Sequence, residues 1–396
     1  MKKKLFFVLG TRPEFIKLAP LIVAAKNDPR FEVFVCSSGQ HREVMIPIKQ
    51  FFGIEFDHDL SLMKPNQNLV DLHANAMLGV KELLIQQKPD VVIVQGDTTT
   101  AQAAAVSAYY LQIPVTHVEA GLRTFDLEAP FPEEFNRRVI GVFAKWHFAP
   151  TSESQQNLFE EKLSKNSIVE VTGNTGIDAL VLAAEKLKNP TLRNSVVDSK
   201  LLNLSETRKK VLCTVHRRES FGEDMKNIFT ALLKIAQESD LDLIIPLHPN
   251  PNVRAAADEI FASEMNKTVF KEWPKDDPQA GGPQGRLLLC EPLDYPSLVY
   301  IMEKSEFIIT DSGGIQEEAP TFGKKILVLR KTTERPEGVT AGFAELLGAD
   351  TQLIVSKALH LNQLKDPWLG EVPPLNPYGD GKSSQKILDS LINHAI

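Results

Sequence analysis

Cysteine is scarce. The 396 residues include three, Cys36, Cys213 and Cys290, none near another. An odd, scattered set argues against a disulfide framework and against a thiolate zinc site. Each lies in or beside an apolar run and reads as a small buried hydrophobe. Positive charge is not in excess either: 44 Lys and Arg stand against 51 Asp and Glu, a net charge of −7. A general nucleic-acid binder needs a basic face, so that class is disfavoured, whereas a local basic pocket for one anion is not. No apolar run approaches the ~20 residues of a membrane span. Behind the basic start Met1-Lys2-Lys3-Lys4, the stretch Leu5–Leu9 is too short for a signal peptide. The expectation is a cytoplasmic protein that binds neither nucleic acid nor membrane. Internal repeats, low-complexity tracts and a G-x-G-x-x-G dinucleotide fingerprint are also missing.

What is present is an ordinary globular composition, 43% hydrophobic and 24% charged, at a length that favours two domains. Short β-rich runs alternate with segments of helical spacing. The runs are Leu5–Leu9, Glu32–Cys36, Asp90–Val94, Pro114–Val118, Trp146–Ala149 and Ser167–Val171, and the helical segments include Glu14–Lys26, Leu69–Gln87 and Thr98–Leu111. Apolar strands alternating with helices predict a parallel sheet covered on both faces. Asn189–Thr207 is polar and reads as a hinge or linker. A second series follows at Val211–Val215, Leu243–Pro246, Arg286–Cys290, Phe307–Thr310 and Lys325–Leu329. Residues 271–285 read as a loop and 382–396 as a helix with Ile387, Leu388, Leu391 and Ile392 on one face. The expected domains are 1–188, 189–370 and a tail, 371–396, packing back on the first. Ligands of open α/β sheets bind beyond the carboxyl ends of strands, so the polar residues there matter most.

Six clusters, most of them at such ends, could carry chemistry. Gly10-Thr11-Arg12-Pro13-Glu14, with Lys17, opens a helix where Arg12 and Lys17 could meet an anion, or forms an ordinary turn. Asp97, in Gln95-Gly96-Asp97-Thr98, is a functional carboxylate or a helix cap. His117 and Glu119 would point the same way along a strand, as a buried carboxylate needing a partner or, with further ligands, a metal site. Glu133 and Arg137, four apart after Pro130-Phe131-Pro132, can face each other on a helix. His216-Arg217-Arg218-Glu219 suits a phosphate, and His248 is a weaker version of it. Asp311-Ser312-Gly313-Gly314, running into a helix, would cradle a diphosphate on backbone N–H groups. Glu317 or Glu318 there could accept from ribose hydroxyls, and Arg335 adds a cation to that rim. Residue types alone therefore reach a nucleotide-sugar enzyme and no particular reaction.

In order along nearly the whole chain, the stretches Gly10–Leu21, Gly39–Val44, Gln95–Thr100, His117–Thr124, Pro130–Arg137, Val171–Thr175, His216–Glu219, Glu291–Tyr295, Asp311–Pro320 and Thr332–Glu337 resemble the bacterial non-hydrolysing UDP-N-acetylglucosamine 2-epimerases. The resemblance implies two Rossmann-like α/β domains facing a central cleft (the GT-B type) and a homodimer. It also implies reversible conversion of UDP-GlcNAc to UDP-ManNAc with no cofactor, neither NAD nor a required metal. By the same resemblance the reaction is anti elimination of UDP to a 2-acetamidoglucal and re-addition, supplying surface polysaccharide synthesis. Asp97, Glu119 and Glu133 would handle protons on the two faces of C2, and Arg137 and His216 match residues important for activity. Arg12, Lys17, Ser312, Gly313, Gly314, Glu318 and Arg335 would bind UDP. Leu293 and Leu298 match uracil-pocket positions where relatives often carry Gln and Phe. Gln40, Arg217 and Glu219 match an allosteric UDP-GlcNAc site of some relatives; Glu43 and Asn66 stand where those enzymes carry Gln and Arg. A 2-epimerase of a modified UDP-sugar, such as UDP-2,3-diacetamido-glucuronic acid, and a GT-B glycosyltransferase are the alternatives.

Overall fold

A computed structural model describes residues 2–40, 42–63, 67–261, 285–394 and 396. The chain divides into two compact units, Met1–Leu182 with Tyr378–Ile396, and Ala183–Pro377.

The first unit is built on β1 (Lys3–Leu9), β2 (Phe31–Ser37), β3 (His58–Asp59), β4 (Val91–Gln95), β5 (Val115–Val118), β6 (Trp146–Ala149) and β7 (Ile168–Val171). They lie side by side in the order β3-β2-β1-β4-β5-β6-β7, every pair parallel. All of β4, β5 and β6 is buried, the expected state of strands covered by helices on both faces. Phe6, Val8, Val92 and Val94 pack with Ala101, Ala104 and Ala105 of the helix Thr99–Tyr110, whose small residues let it lie close to the sheet.

The second unit carries β8 (Lys210–Thr214), β9 (Asp242–Pro246), β10 (Arg286–Cys290), β11 (Phe307–Thr310), β12 (Lys325–Val328) and β13 (Ala344–Leu346). Their order is β10-β9-β8-β11-β12-β13, again all parallel. Its core joins Val211, Cys213, Leu243 and Ile309 to Ile228, Leu232 and Ile235 of the helix Glu223–Glu238. Each sheet reverses its order once, between β1 and β4 and between β8 and β11. A crevice opens at such a switch point, because the helices following the two strands leave to opposite faces.

The polar stretch from Asn189 is not a structureless linker. It forms the helices Pro190–Val196 and Ser199–Leu202 within the second unit. Asn189 caps the first by accepting from Thr191 N at 3.0 Å and Leu192 N at 3.3 Å, and Asp198 caps the second from Lys200 N at 2.9 Å. Cap residues and a proline in the first turn explain why a polar sequence is helical here. At the other end of the chain, the helix Ser383–Asn393 buries Ile387, Leu388 and Leu391 and packs on the helix Arg12–Asn27. Buried Asp178 accepts from Ser383 N (3.1 Å) and Ser384 N (2.6 Å) and so fixes its first turn. The cysteines are free; burial pushes the Cys36 and Cys290 thiols up to about 12. No helix among the described residues is long and apolar enough to cross a membrane.

Candidate active site

In the first unit the candidate residues gather at the β1/β4 switch point. The turn after β1 carries Arg12, exposed in the first helical turn, and Lys17 one turn further on. Lys17 Nζ donates to Glu119 Oε1 at 2.7 Å and to Oε2 at 2.5 Å. Gln95, the last residue of β4, donates to the same Oε2 at 2.7 Å. Glu119 does not continue β5 as the alternation suggested. Its backbone turns left-handed, φ +62°, immediately beyond the strand, which directs the carboxylate to Lys17 and Gln95. Two residues on, Gly121 has φ +90°, and a Cβ there would stand 2.1 Å from the Ser154 carbonyl oxygen, so only glycine fits.

His117 is buried in β5 and its Nε2 donates to the Gly96 carbonyl at 2.7 Å. Burial pushes its pKa down to about 3, so the ring is neutral. It braces the turn that bears Asp97. No three His, Cys, Asp or Glu side chains gather as a metal site would require among the described residues.

Asp97 stands in that turn and is pushed up to about 6, chiefly by burial. Arg137 and Lys17 pull it down, while Glu119 and Glu133 push it further up. These five groups thus share one neighbourhood. Arg137 Nη2 lies 3.4 Å from Asp97 Oδ2, and Asn136 Nδ2 donates to the Asp97 carbonyl at 2.9 Å. Arg137 does not meet the Glu133 carboxylate, as the spacing of four suggested. Its Nε lies 3.3 Å from the Glu133 main-chain oxygen and 3.3 Å from Glu134 Oε2. Glu134 is buried and accepts from Thr124 N and Phe125 N, so the neighbouring acid is the structural one. The Glu133 carboxylate, half-buried, acts electrostatically on Asp97.

In the second unit the residues gather at the β8/β11 switch point. Thr214 and Thr310 are register partners at the strand ends, their hydroxyls 2.6 Å apart. Asp311, fully buried just beyond β11, organises both loops. Its Oδ2 accepts from His216 N at 2.7 Å and Arg217 N at 2.8 Å, and Oδ1 lies 3.0 Å from His216 Nδ1. The His216 ring stacks on His248, centroids 5.9 Å apart. Ser312 N donates to Thr310 Oγ1 at 2.9 Å and precedes the helix Gly313–Glu318. Arg335 lies directly over Gly313, where a Cβ would come within 2.7 Å of its guanidinium carbon, and its Nε donates to Glu317 Oε1 at 2.7 Å. Glu318, half-buried, acts electrostatically on the buried phenol of Tyr295, whose pKa burial already raises. Leu293 and Leu298, both half-buried, flank the start of the helix Tyr295–Lys304, after β10.

His216, Arg217, Ser312, Gly313, Gly314 and Arg335 therefore share one end of the second sheet. Glu219 is turned aside to accept from Arg330 Nε at 2.7 Å. Gln40 stands in the first unit after β2. The Glu43 side chain, Asn66 and, Gly285 apart, the 271–285 loop lie outside the described residues. Sequence reasoning did not single out Glu14, Gln95, Glu134 or Asp311. A glutamate three residues after Thr11 is a capping signal that points to Glu14; for the other three the signal is position at a strand or helix end.

The family model described as UDP-N-acetylglucosamine 2-epimerase matches residues 23–392. The chain is 43% identical over 396 residues to the UDP-N-acetylglucosamine 2-epimerase of Campylobacter jejuni, covering 99% of this chain and 98% of that one. It is 42% identical over 394 residues to that of Escherichia coli strain K12, covering 99% of each. Among solved structures, the UDP-GlcNAc 2-epimerase of Neisseria meningitidis bound to UDP-GlcNAc superposes with a TM-score of 0.82 at 41% identity, covering 98% of this chain and all of that one. With the match running the length of the chain, through both switch-point clusters, this protein belongs to the UDP-N-acetylglucosamine 2-epimerase family.

Proposed function

We propose that the protein interconverts UDP-N-acetylglucosamine and UDP-N-acetylmannosamine by inverting C2, without hydrolysing the nucleotide-sugar, and so supplies polysaccharide synthesis. The observation that carries this reading is the gathering of Asp97, Glu119 and Glu133 with Lys17 and Arg137, one of the acids held near pKa 6. Inverting C2 requires a proton to leave one face and another to arrive on the opposite face. A single carboxylate cannot serve both. Groups whose surroundings push their pKa values apart can supply an acid and a base at one pH.

The C2 hydrogen has no adjacent carbonyl to acidify it. Loss of UDP from C1 supplies the missing activation. A carboxylate takes the C2 proton as the C1–O bond breaks, and the electron pair of the C2–H bond becomes the C1–C2 double bond of 2-acetamidoglucal. UDP then adds back to C1 while a second carboxyl group delivers a proton to the other face of C2. Asp97, Glu119 and Glu133 fill these roles, with Lys17 and Arg137 holding charge beside them. In the second unit, Ser312–Gly314, His216 and Arg335 suit the departing diphosphate, Glu318 the ribose, and Leu293 and Leu298 the base. Arg12 adds a further cation.

The working form is a homodimer. Support comes from the exposed apolar side chains on three neighbouring helices of the first unit: Leu78 and Ile85, Tyr109 and Tyr110, Phe135 and Val142. It acts in the cytoplasm, a reading supported by free, mostly buried thiols. Proton NMR of the protein with UDP-GlcNAc in deuterated water tests the reaction. UDP-ManNAc should appear, with deuterium at C2 of both epimers. A folded protein that binds UDP yet neither exchanges C2 nor forms a new sugar nucleotide would overturn the reading.

A further inference from the structure

We propose that Glu14 is a positioning residue for this reaction: its buried carboxylate locks the turn after β1 to the turn after β4, and so sets Asp97 against the Lys17–Glu119 pair. The inference rests on the C2-epimerase reading above. Glu14 is 2% exposed. Its Oε2 accepts from Thr11 N at 2.7 Å, Thr11 Oγ1 at 2.8 Å and Gly10 N at 3.1 Å, all in the β1 turn. Its Oε1 accepts from Thr98 Oγ1 at 2.7 Å, 84 residues away in the β4 turn and next to Asp97. The Thr98 hydroxyl in turn accepts from Ala101 N at 3.0 Å and caps the helix Thr99–Tyr110.

Capping its own helix would require only the contact to Thr11. The bonds to Gly10 and Thr98 lie beyond that need, and they bridge the two strands between which the sheet order reverses. The turns are also pressed together at Gly10, where a Cβ would stand 2.6 Å from Thr100 Oγ1 and 2.8 Å from Ser38 Oγ. One turn of helix beyond Glu14 lies Lys17, which grips Glu119, and one residue before Thr98 lies Asp97. A shift of either turn therefore moves an acid relative to its charged neighbours. No cation lies within ion-pair distance of Glu14 among the described residues, so a buried carboxylate is held by neutral donors alone. Burial raises its pKa and the four hydrogen bonds lower it. A buried carboxyl group in that setting is an expensive way to tie a loop, and catalytic geometry supplies a reason for it.

The test uses wild type, Glu14→Gln, Thr98→Val and Thr98→Ser, each with UDP-GlcNAc in deuterated water. Exchange at C2 in wild type tests the parent reading separately from this one. If wild type exchanges, Glu14→Gln and Thr98→Val should lose about tenfold or more in kcat while KM stays within about twofold, and Thr98→Ser, which keeps the hydroxyl, should keep kcat. Should Glu14→Gln fail to fold, the Thr98 pair decides. Wild-type kcat in Thr98→Val, or a loss in which kcat, KM and melting temperature move together, overturns the proposal.

Discussion

Lys17 places its ammonium on both oxygens of the Glu119 carboxylate, across 102 residues of chain. The pair joins the turn after β1 to the turn after β5, and β4, lying between those strands, contributes Gln95 to the same carboxylate. Glu119 is thus held by one charged and one neutral donor, its side chain 13% exposed. Lys17→Met removes the charged donor and leaves a largely buried acid with Gln95 alone. Turnover should fall by about 100-fold, the range of a lost acid–base contribution, with UDP affinity nearly retained. Turnover assays beside UDP titration check this. A variant that loses UDP binding and keeps the chemistry would move Lys17 from the acids to the nucleotide.

Asp97 should give the pH profile its low-pH limb. Burial is the main reason its pKa stands near 6, and Arg137 is the largest charge opposing that rise. The kcat/KM profile should show an apparent pKa near 6. Arg137→Gln should move that limb to higher pH, because the nearest cation is gone while Glu119 and Glu133 remain. A limb that stays in place would detach Asp97 from it.

The same group makes a stability prediction. Folded Asp97 titrates near 6 against 3.8 for the free side chain, so the folded state holds the proton more tightly. Below 3.8 both states are protonated and nothing is lost. As pH rises through 6, ionised Asp97 destabilises the fold, by at most about 3 kcal/mol. Asp97→Asn should therefore abolish turnover and raise the melting temperature at neutral pH, with the gain vanishing near pH 4. Thermal melts at the two pH values decide it.

These arguments use features that the sequence shows unequally. The apolar runs located β1, β2, β4 to β7 and β8 to β12 within a residue or two, because strands covered by helices on both faces are largely apolar. β3 has two residues and β13 three, too few to carry a pattern. The helices after Asn189 hide behind polar surfaces and show only in their caps. Most candidate side chains were legible as polar residues at strand ends, but their partners were not. Spacing suggested that Arg137 faces Glu133, whereas tertiary packing brings it to Asp97. Spacing along β5 gave no sign that Glu119 lies in a left-handed turn. Sheet order, which creates both switch points, is a long-range property that local periodicity does not encode.

The apolar surface of the first unit makes the assembly testable. Tyr110 is 72% and Val142 65% exposed, on the helices Thr99–Tyr110 and Glu133–Phe143. A charge at either position is harmless in a monomer and unfavourable in a buried interface. Light scattering on a sizing column should find a dimer in wild type and monomers in Tyr110→Glu with Val142→Glu. An unchanged mass would place the subunit contact elsewhere.

The second unit holds a chain of charges with its own consequence. Glu219 accepts from Arg330 Nε at 2.7 Å, and Arg330 Nη1 donates to Glu334 at 2.6 Å. Glu334 Oε1 lies 3.1 Å from Arg335 Nη1, and Arg335 reaches Glu317 at 2.7 Å. The chain ties the loops after β8, β12 and β11, and it ends on the guanidinium that lies over Gly313. Exposed ion pairs contribute little, about 0–1 kcal/mol each. Arg330 is different, because its side chain is 10% exposed and bridges two acids. Arg330→Met leaves Arg335 as the only cation on Glu334 among the described residues, which draws Arg335 away from Gly313, the proposed diphosphate position, toward Glu334. UDP affinity should fall by about tenfold, roughly the 1.4 kcal/mol of a displaced charged contact, with a small change in melting temperature. Arg330→Lys restores a charge without the fork that spans both acids, so it should recover only part of the loss. Calorimetric titration with UDP measures both variants. Wild-type affinity in Arg330→Met would show that Arg335 holds its place without the chain.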